Sequence, residues 1–488
     1  MQTLPMQLYT VAEIRAIEHA AHQDYQLSAT ELMYRAGVQA LNCIQRHFSQ
    51  AQQLLIICGS GNNAGDGYVL ARLAMLAGVD VNIYTVIDPK QLSGAAQQAY
   101  QHYMDINGRL TRFTKALPMC ADVIVDALLG TGLSRDVDDE YRVAIEQINA
   151  SQCPVLALDI PSGLQANTGR VLGCAVHAQL TMTFIGLKQG LYTGQAKAVC
   201  GEIILATLDI PDELLTSNAS TTACLQRIVL PPRVAYAHKG HFGHILIIGG
   251  DLGYSGAVKL AAEAALRVGA GLVSVATRTE HALFLNAHRP ELMCHGIATP
   301  AQLHALLARV DVVVLGPGLG QADWGQWVFA EAIQCTKPMI IDADGLNLLA
   351  RQALHKATWI LTPHPGEAAR LLNVSIQTIE QDRFHAAKQL VAERGGTIVL
   401  KGSGTLIATA HALKVATQGN PGMASGGMGD VLAGVIAGLV GQGLSLSDAA
   451  QQGVWLHATA ADSAAQQGGE RGLLASDVFP WLRQWVNQ

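Results

Sequence analysis

The sequence is poor in charged and aromatic residues. Of its 488 residues, 14% are charged and 5% are aromatic, against about 25% charged in an average globular chain. The 32 basic and 38 acidic residues leave a net charge of −6, and no long basic run occurs. Binding to nucleic acid needs a concentrated positive surface, and stacking on bases needs aromatic side chains. We therefore expect no nucleic-acid partner.

Paired cysteines and clear membrane spans are also missing. The nine cysteines are odd in number and contain no C-x-x-C pair, which favours reduced, mostly buried thiols in a cytoplasmic protein. The longest uncharged stretches, 171–187 and 431–447, lie at the short limit of a membrane span and fit buried core elements better. Because Glu13, Arg15 and Glu18 interrupt the first apolar stretch, we expect no signal peptide. The sequence predicts no membrane partner.

What the sequence does contain is apolar residues, at 50%, and 49 glycines. A unit recurs along the chain: a short β-branched run, a Gly-rich turn, and an Ala/Leu-rich stretch with helical spacing. This alternation predicts an α/β fold of parallel sheets covered by helices on both faces. The predicted strands are 54–58, 81–87, 123–125, 155–158, 245–248, 272–276, 312–315, 339–341, 359–361 and 397–400.

The series of strands stops and then restarts across the polar segment 217–222. We therefore predict two domains, residues 1–220 and 221–488, with the joint near 215–227. In open parallel sheets, ligands bind beyond the C-terminal ends of the strands. The Gly-rich and acidic motifs of both domains follow predicted strands, so each domain is expected to carry a site at that edge.

In the first domain, residues 59–67 read Gly-Ser-Gly-Asn-Asn-Ala-Gly-Asp-Gly and join a strand to a helix. Glycines let a ligand approach the backbone, and a helix N-terminus attracts phosphate. The G-x-G-x-x-A pattern alone fits a nucleotide-binding turn, but Asn62, Asn63 and Asp66 add oxygen atoms that anion-binding loops normally avoid. A tight turn with Asp66 near the start of the helix is the alternative.

Two further predicted strands end in an aspartate, Asp126 and Asp159. The oxygens of Asn63, Asp126 and Ser162 are hard ligands that can converge on one alkali or alkaline-earth cation. Asp159, at the end of a buried strand, can act as a general acid or base. Taken singly, an aspartate at such a position is more often a turn or helix-capping residue, but three acidic or amide groups at successive strand ends favour a site.

The segments Asn-Asn-x-Gly-Asp-Gly, Asp-Ala-Leu-Leu-Gly-Thr-Gly-Leu and Asp-Ile-Pro-Ser-Gly-Leu resemble the NAD(P)H-hydrate epimerase domain over about residues 10–215. The resemblance implies a Rossmann-like fold and interconversion of the R and S forms of hydrated NADH and NADPH (NADHX and NADPHX). It also implies a K⁺ ion held by Asn63, Asp126 and Ser162. The implied ligand contacts are Asn62, Asn63, Ala64, Gly65, Asp66, Gly130, Thr131, Gly132, Leu133, Ser134, Arg135, Asp136 and Asp159. Ala64 departs from the glycine that many relatives carry.

In the second domain, residues 419–430 read Gly-Asn-Pro-Gly-Met-Ala-Ser-Gly-Gly-Met-Gly-Asp and precede an apolar helix. Consecutive backbone N–H groups at a helix start can stabilise a phosphate during its transfer. Asp430 beside them can accept the proton of an attacking hydroxyl. A Gly-rich turn with an aspartate at the helix start is the alternative. No Walker A motif occurs, which argues against a P-loop kinase.

Further motifs of the second domain follow strands or open a helix: Tyr-Ser-Gly-Ala at 254–257, Gly-Pro-Gly-Leu-Gly at 316–320, Asp-Ala-Asp at 342–344, Thr-Pro-His-Pro-Gly-Glu at 362–367 and Lys-Gly-Ser-Gly-Thr at 401–405. Lys401 and the glycines after it can hold nucleotide phosphates. His364 alone is equally consistent with a ligand contact and with an ordinary loop histidine.

With the Gly-Met-Gly-Asp motif, these segments look like the ADP-dependent NAD(P)H-hydrate dehydratase branch of the ribokinase superfamily, over about residues 225–485. The resemblance implies a ribokinase-like fold, Mg²⁺ and ADP. The implied hydrate contacts are Ala257, Gly318, His364 and Asp430, and the implied contacts to the AMP part are Lys401, Gly402, Ser403, Gly404, Thr405 and Gly429. Relatives assemble into symmetric oligomers, so a homo-oligomer is expected.

Together the two resemblances predict a two-step repair enzyme with Asp159 and Asp430 as catalytic residues. The hydrate epimers would equilibrate in the first domain, and the S form would be dehydrated in the second at the expense of ADP, giving AMP and phosphate. One alternative is a ribokinase-type kinase for a vitamin-like alcohol. Another is a nucleotide-binding scaffold whose first domain is catalytically silent. A Rossmann dehydrogenase is disfavoured because one hydride transfer does not explain two different Gly-rich sites.

Overall fold

The structure is a computed structural model and describes residues 7–114, 116–117, 121–218 and 220–488. The chain forms two compact units, Met1–Ala223 and Cys224–Gln488. Two residues used in the sequence analysis lie outside the described residues. They are Cys120, one of the nine cysteines, and Ala219, which belongs to the polar segment 217–222. The boundary between the units falls within the interval 215–227. The domain limits 1–220 and 221–488 remain predictions.

The first unit alternates strands and helices. Its elements are β1 (Leu8–Tyr9), α1 (Val11–Tyr25), α2 (Ala29–His47), β2 (Gln53–Cys58), α3 (Asn62–Leu76), β3 (Asp80–Thr85), α4 (Gly94–Met104), β4 (Leu110–Arg112), β5 (Val123–Ala127), α5 (Asp139–Ala150), β6 (Val155–Leu158), β7 (Leu180–Phe184), β8 (Leu187–Lys188), β9 (Glu202–Ala206) and α6 (Asp212–Ser217).

Seven of these strands form one sheet in the order β4-β3-β2-β5-β6-β7-β9, and every pairing in it is parallel. The central strands consist almost wholly of buried Val, Ile and Leu, as expected for a sheet covered on both faces. The strand order reverses direction between β2 and β5, which is where open parallel sheets bind their ligands. The predicted α/β fold is therefore confirmed for this unit.

The second unit repeats the alternation with more strands. Its elements are β10 (Thr222–Cys224), β11 (His244–Ile248), α7 (Ser255–Arg267), β12 (Leu272–Thr277), α8 (Thr279–Ala282), β13 (Met293–Gly296), α9 (Pro300–Leu307), β14 (Val312–Leu315), α10 (Asp323–Ala332), β15 (Met339–Ile341), α11 (Asp344–Leu349), β16 (Trp359–Leu361), α12 (Pro365–Leu372), α13 (Ile376–Gln381), α14 (Arg383–Arg394), β17 (Thr397–Leu400), β18 (Leu406–Ala408), β19 (Leu413–Val415), α15 (Met428–Gly441), α16 (Leu446–Gly468) and α17 (Phe479–Val486).

Together with β10, whose residues include the boundary between the units, these strands form a ten-stranded sheet in the order β10-β19-β18-β17-β16-β15-β14-β11-β12-β13. The pairings from β13 to β17 are parallel, and the order reverses between β11 and β14. The prediction of purely parallel sheets is wrong at β18, which pairs antiparallel with both β17 and β19. The connections are short, and a bond from the Thr409 amide to the Ala412 carbonyl closes the turn between β18 and β19. Short connections of this kind allow only antiparallel pairing.

Helix α3 begins at Asn62, earlier than predicted. The amides of Ala64 and Gly65 already donate to the Gly61 carbonyl, so most of the predicted loop is the first part of the helix. Its glycines also serve packing. A Cβ on Gly65 would lie 2.5 Å from the Met33 sulfur, and one on Gly67 would lie 2.8 Å from Ala127 Cβ.

The described cysteines are Cys43, Cys58, Cys153, Cys174, Cys200, Cys224, Cys294 and Cys335, and all of them are free. Four are buried and four are partly exposed, so burial is less complete than predicted. Within the described ranges, no helix has both the length and the apolar character needed to cross a membrane. Of the two long uncharged stretches, 171–187 contains strand β7, and 431–447 contains most of helix α15.

Alanine substitutions in the turn after β2 test how closely the backbone is packed at the edge of the first sheet. A Cβ on Gly59 would lie 1.9 Å from the Leu128 carbonyl oxygen, whereas a Cβ on Gly61 would meet nothing within 4 Å. We expect Gly59→Ala to lower the free energy of unfolding by about 1–3 kcal/mol, because the backbone must move to relieve the overlap. Gly61→Ala is the matched control and should change it by less than about 0.5 kcal/mol. Equal urea-unfolding midpoints for the two variants would contradict the packing.

Candidate active sites

A cavity of about 960 Å³ lies in the first unit, where β2, β5 and β6 end. Its wall contains most of the predicted ligand contacts, namely Asn62, Asn63, Asp66, Gly130, Thr131, Gly132, Leu133, Ser134, Arg135 and Asp159. Ala64, Gly65 and Asp136 are not part of this wall. Ala64 is buried in the core, and Gly65 packs on Met33. Ala64 and Gly65 therefore pack behind the cavity wall, whereas Asp136 is exposed to solvent outside it.

The predicted oxygen ligands lie around the end of β5. The buried Asp126 carboxylate accepts bonds from the Ser162 hydroxyl at 2.6 Å and the Ser162 amide at 2.8 Å. Burial raises the pKa of Asp126 to about 6, although the bonds from Ser162 and Leu128 oppose the shift. The Asn63 amide nitrogen donates to the Leu129 carbonyl at 3.1 Å, and Ser162 Oγ lies 3.2 Å from that same carbonyl oxygen. The three predicted ligands are thus joined through one short backbone segment.

Asn63 Oδ1 is buried and has no hydrogen-bond partner in the structure. A buried amide oxygen is nearly always satisfied by a donor, a water or an ion. This orphaned oxygen belongs to the same cluster as the Asp126 carboxylate and the Ser162 hydroxyl, which are the hard ligands that an alkali cation takes. The residues therefore fit an alkali cation.

Asp159 follows β6 in a very tight turn. Its φ is +64°, and the Ile160 amide donates back to the Leu158 carbonyl at 2.8 Å. Its carboxylate accepts bonds from the Lys188 ammonium and from the Phe184 amide. The side chain is 17% exposed, whereas that of Lys188 is 2% exposed. Backbone and carboxylate are both fixed, so Asp159 presents a preorganised anion to the cavity.

Two further carboxyl groups share the cavity wall with Asp159. Burial raises the pKa of Asp66 well above its usual value, and the nearby Asp159 and Glu18 raise it further. Partial loss of water contact also raises the pKa of Glu18, while Lys188 and Arg15 oppose that shift. The site therefore combines an ion-paired carboxylate with a carboxyl group that favours its protonated form, which is the arrangement used for proton transfer.

Sequence analysis missed Lys188 and Glu18 as parts of this site. Lys188 is the first charge after the uncharged stretch 171–187, and a lone charge at the end of a buried stretch is a usable signal. Glu18 lies on α1, far from any recognised motif, and no local signal marks it.

The second candidate site is built around the start of α15. Gly427 caps this helix with φ +90°, a conformation that favours glycine, and a Cβ there would lie 2.5 Å from Leu260 Cδ1. The first amides of a helix have no partner within it and can face an anion. A Cβ on Gly429 would lie 3.2 Å from Lys401 Nζ and 3.4 Å from Asp342 Oδ2. The helix start, a lysine and an aspartate therefore meet at one point.

Asp430 lies in the first turn of α15. Burial raises its pKa to about 7, Asp342 adds to the shift, and Lys401 opposes it. Lys401 Nζ donates to Asp342 Oδ1 at 2.7 Å, and the Thr362 hydroxyl donates to the same oxygen at 2.8 Å. Burial lowers the pKa of Lys401, but the surrounding carboxylates outweigh burial and raise it overall. The site holds a permanent cation beside a carboxyl group that titrates near neutral pH.

His364 caps helix α12, and its ring is half exposed. Its Nδ1 accepts a bond from the Gly366 amide at 2.9 Å, and its own amide donates to Glu367 Oε2 at 2.7 Å. Burial and the nearby Lys401 lower the pKa of His364, which favours the neutral ring. Since Nδ1 is an acceptor, the proton of the neutral ring lies on Nε2. His364 is thus a helix cap that can also donate a hydrogen bond to a ligand.

The remaining predicted contacts fall into two groups. Ala257 and Gly318 are neighbours, since a Cβ on Gly318 would lie 3.2 Å from Ala257 Cβ. Gly402, Ser403, Gly404 and Thr405 continue the chain after Lys401 and form the turn between β17 and β18. Arg383, which sequence analysis missed, is buried and donates to the carbonyls of Leu400, Lys401 and Ser403. Arg383 therefore holds the backbone of the predicted nucleotide loop.

Replacing Arg383 tests this support. Arg383→Met would leave several buried carbonyls without their charged donor, so we expect the free energy of unfolding to fall by about 3 kcal/mol. The matched control is Arg351→Met, since Arg351 makes an exposed bond to Gln321; its loss should cost less than about 1 kcal/mol. A thermal-unfolding midpoint for Arg383→Met equal to that of Arg351→Met would contradict the role of Arg383.

Comparisons with known proteins agree with both halves of the chain. A family model described as NAD(P)H-hydrate dehydratase matches residues 245–483, and one described as YjeF-related protein N-terminus matches residues 29–190. A Coxiella burnetii protein named bifunctional NAD(P)H-hydrate repair enzyme Nnr is 48% identical over 98% of this chain and 99% of its own length. An Escherichia coli protein of the same name is 44% identical over 99% of this chain and 95% of its own.

Among solved structures, a ribokinase-like superfamily protein from Enterococcus faecalis is similar to this chain with a TM-score of 0.50 and 31% sequence identity. The match covers 53% of this chain and 91% of the other.

Proposed function

The chain belongs to the bifunctional NAD(P)H-hydrate repair enzymes, and from this premise we propose how its two sites divide the repair. Family membership makes it an NAD(P)H-hydrate epimerase and dehydratase. We assign epimerisation to the cavity around Asp159 and dehydration to the cluster around Asp430. The observation that carries the second assignment is the meeting of the α15 start with Lys401 and Asp342.

In the epimerase site, Asp159 assists the loss and return of the hydroxyl at C6 of the hydrated nicotinamide ring. The ring nitrogen next to C6 pushes its lone pair toward C6 as the C6–O bond breaks, and water then adds to either face. The fixed carboxylate and its neighbours move the protons that this exchange needs. The N-terminal end of α3 and the 130–136 segment would bind the phosphates of NADHX or NADPHX.

K⁺ is the cation we propose for the first site, held by Asn63 Oδ1, the Asp126 carboxylate and Ser162 Oγ. Support comes from the orphaned, buried Asn63 oxygen and the all-oxygen donor set. A bound K⁺ would supply positive charge next to the phosphate-binding segments. Hydrogen bonds to Leu129 and Asp126 hold the side chains of Asn63 and Ser162 in position.

In the dehydratase site, Asp430 accepts the proton of the S-form hydroxyl while that oxygen attacks the terminal phosphorus of ADP. AMP leaves, and the hydroxyl oxygen now carries the phosphate. Phosphate is a far better leaving group than hydroxide, so the ring nitrogen can expel it and restore NAD(P)H. The amides of Met428 and Gly429 and the Lys401 ammonium stabilise the negative charge that develops on the transferring phosphate.

The nucleotide is proposed to be ADP, with its AMP part against Lys401, Gly402, Ser403, Gly404, Thr405 and Gly429. Mg²⁺ is proposed to arrive with the nucleotide, because this ion is commonly held by substrate phosphates and keeps several waters. Ala257, Gly318 and the Nε2 proton of His364 are proposed to contact the hydrate. A symmetric oligomer and a cytoplasmic location also remain proposals based on the sequence.

Asp430→Asn tests the division of work between the sites. The amide cannot accept the hydroxyl proton, so we expect dehydration of the S epimer to fall by at least about 1,000-fold. The rate of epimer interconversion should remain within about twofold of the wild-type rate, because this reaction takes place in the other unit. The assay follows NADH absorbance with ADP present, and epimer separation by chromatography without ADP. Equal loss of both activities would refute the division.

The pH dependence of dehydration follows from the pKa of Asp430, which burial raises to about 7. Only the ionised carboxylate can accept a proton, so kcat/KM for the S epimer should rise with pH through about 7 and level off above it. In Asp430→Glu, the midpoint of this pH profile should shift, because the longer side chain moves the carboxylate relative to the groups that surround Asp430. A kcat/KM that is flat between about pH 6 and 8 would contradict the role of Asp430 as base.

A further inference from the structure

Lys188 is a buried cation that the reaction steps above do not use. Its ammonium donates to three oxygens: Asp159 Oδ1, Thr183 Oγ1 at 3.0 Å and the Phe184 carbonyl at 2.8 Å. An ammonium has three N–H bonds, so all of its donors are engaged. Lys188 lies on the wall of the same cavity as Asp159 and the predicted ligand contacts. Its charge is therefore fixed in position next to the reacting group.

The backbone is strained on both sides of the pair. Asp159 has φ +64° and Ile185 has φ +68°, and each is the centre of a turn closed between the residues before and after it. A β-branched residue at positive φ is a rare outlier, and such conformations cost about 1–3 kcal/mol each. Ile185 directly follows β7 and lies three residues before Lys188. The fold thus accepts strain at the two positions that bring the carboxylate and the ammonium together.

The same cavity wall contains three carboxyl groups. Asp159 at the end of β6, Asp66 on α3 and Glu18 on α1 all line it, and Arg15 lies on α1 beside Glu18. Lys188, on β8, forms an ion pair with Asp159. Buried carboxylates close together cannot all be ionised without compensation. Lys188 therefore places a positive charge against Asp159 and near Asp66 and Glu18, whose pKa values it lowers.

We propose that Lys188 is a positioning residue of the epimerase site, holding the Asp159 carboxylate in place to accept a proton while Asp66 on the same cavity wall supplies one. The proposal rests on the assignment of epimerisation to this cavity. Asp66 then protonates the leaving hydroxyl, the C6–O bond breaks, and the ring nitrogen forms the C=N⁺ bond as water departs. Water adds to the opposite face of C6, and Asp159 takes its proton. One proton moves from Asp66 to Asp159, and return through solvent restores the starting state.

The test compares Lys188→Met with Lys188→Arg in the full-length chain. Interconversion of the NADHX epimers is measured without ADP between about pH 6 and 9, and kcat and KM are separated. We expect Lys188→Met to lower kcat about 100-fold at pH 7, because Asp159 loses both its charge partner and its orientation. KM should change by less than about threefold. The pH profile of kcat should also move to higher pH in Lys188→Met, because the ammonium lowers the pKa of Asp66 and of Glu18 and its removal lets both rise. Lys188→Arg, which restores the charge, should recover part of kcat.

Controls separate this role from a merely structural one. Lys90 is an exposed lysine of the same unit, and Lys90→Met should leave both activities unchanged. Dehydration of the S epimer with ADP should stay normal in every variant. A kcat for Lys188→Met within about threefold of the unchanged chain, or a loss equal at every pH and not relieved by arginine, would overturn the proposal.

If Lys188→Met does not fold, Thr183→Val tests the pair instead, because with little change in shape it removes the hydroxyl that accepts from Lys188 at 3.0 Å and donates to Asp159 at 3.4 Å. We expect a fall in kcat of about 5–10-fold at unchanged KM, and an unchanged kcat would overturn the role of Lys188. Failure of the unchanged chain to interconvert the epimers would instead overturn the proposed function.

Discussion

Both sites depend on the burial of carboxyl groups at the C-terminal edge of a parallel sheet. Burial removes water that would stabilise the ionised form, so the chain must provide compensation or accept a protonated group. Each unit provides one buried aspartate–lysine pair at this edge, Asp159 with Lys188 and Asp342 with Lys401. Each then places a further carboxyl group beside the pair, Asp66 or Asp430, whose pKa is raised. Because their pKa values are raised, Asp66 and Asp430 are better able to exchange protons near neutral pH.

The two units use this shared arrangement for different chemistry because different groups surround it. In the first unit, the pair faces an open cavity with an oxygen cluster nearby, and an orphaned amide oxygen is available for a cation. This suits reversible exchange of a hydroxyl. In the second unit, the pair lies against the first turn of α15 at Gly429. Helix amides and an ammonium around one point suit a phosphate that carries several negative charges.

Sequence patterns predicted most of the fold, because Val and Ile runs between Gly-rich turns leave few alternatives to buried parallel strands. The central strands β6, β14, β15, β16 and β17 begin and end where predicted. The start of α3 was placed too late, since its glycines were interpreted as a loop although they pack on Met33 and Ala127. Lys188 and Glu18 could not be predicted as site residues. Tertiary folding brings them from β8 and α1, and neither belongs to a local motif.

The central claim is that one chain carries two sites that act in sequence on the same damaged cofactor. The most direct measurement incubates the full-length chain with an equal mixture of the R and S epimers of NADHX and with ADP. Recovery of NADH is followed over a time too short for spontaneous interconversion. The account predicts that the whole mixture is converted to NADH, with AMP and phosphate formed in equal amounts. Conversion that stops at half of the mixture would contradict the epimerase site, and no conversion would contradict the dehydratase site.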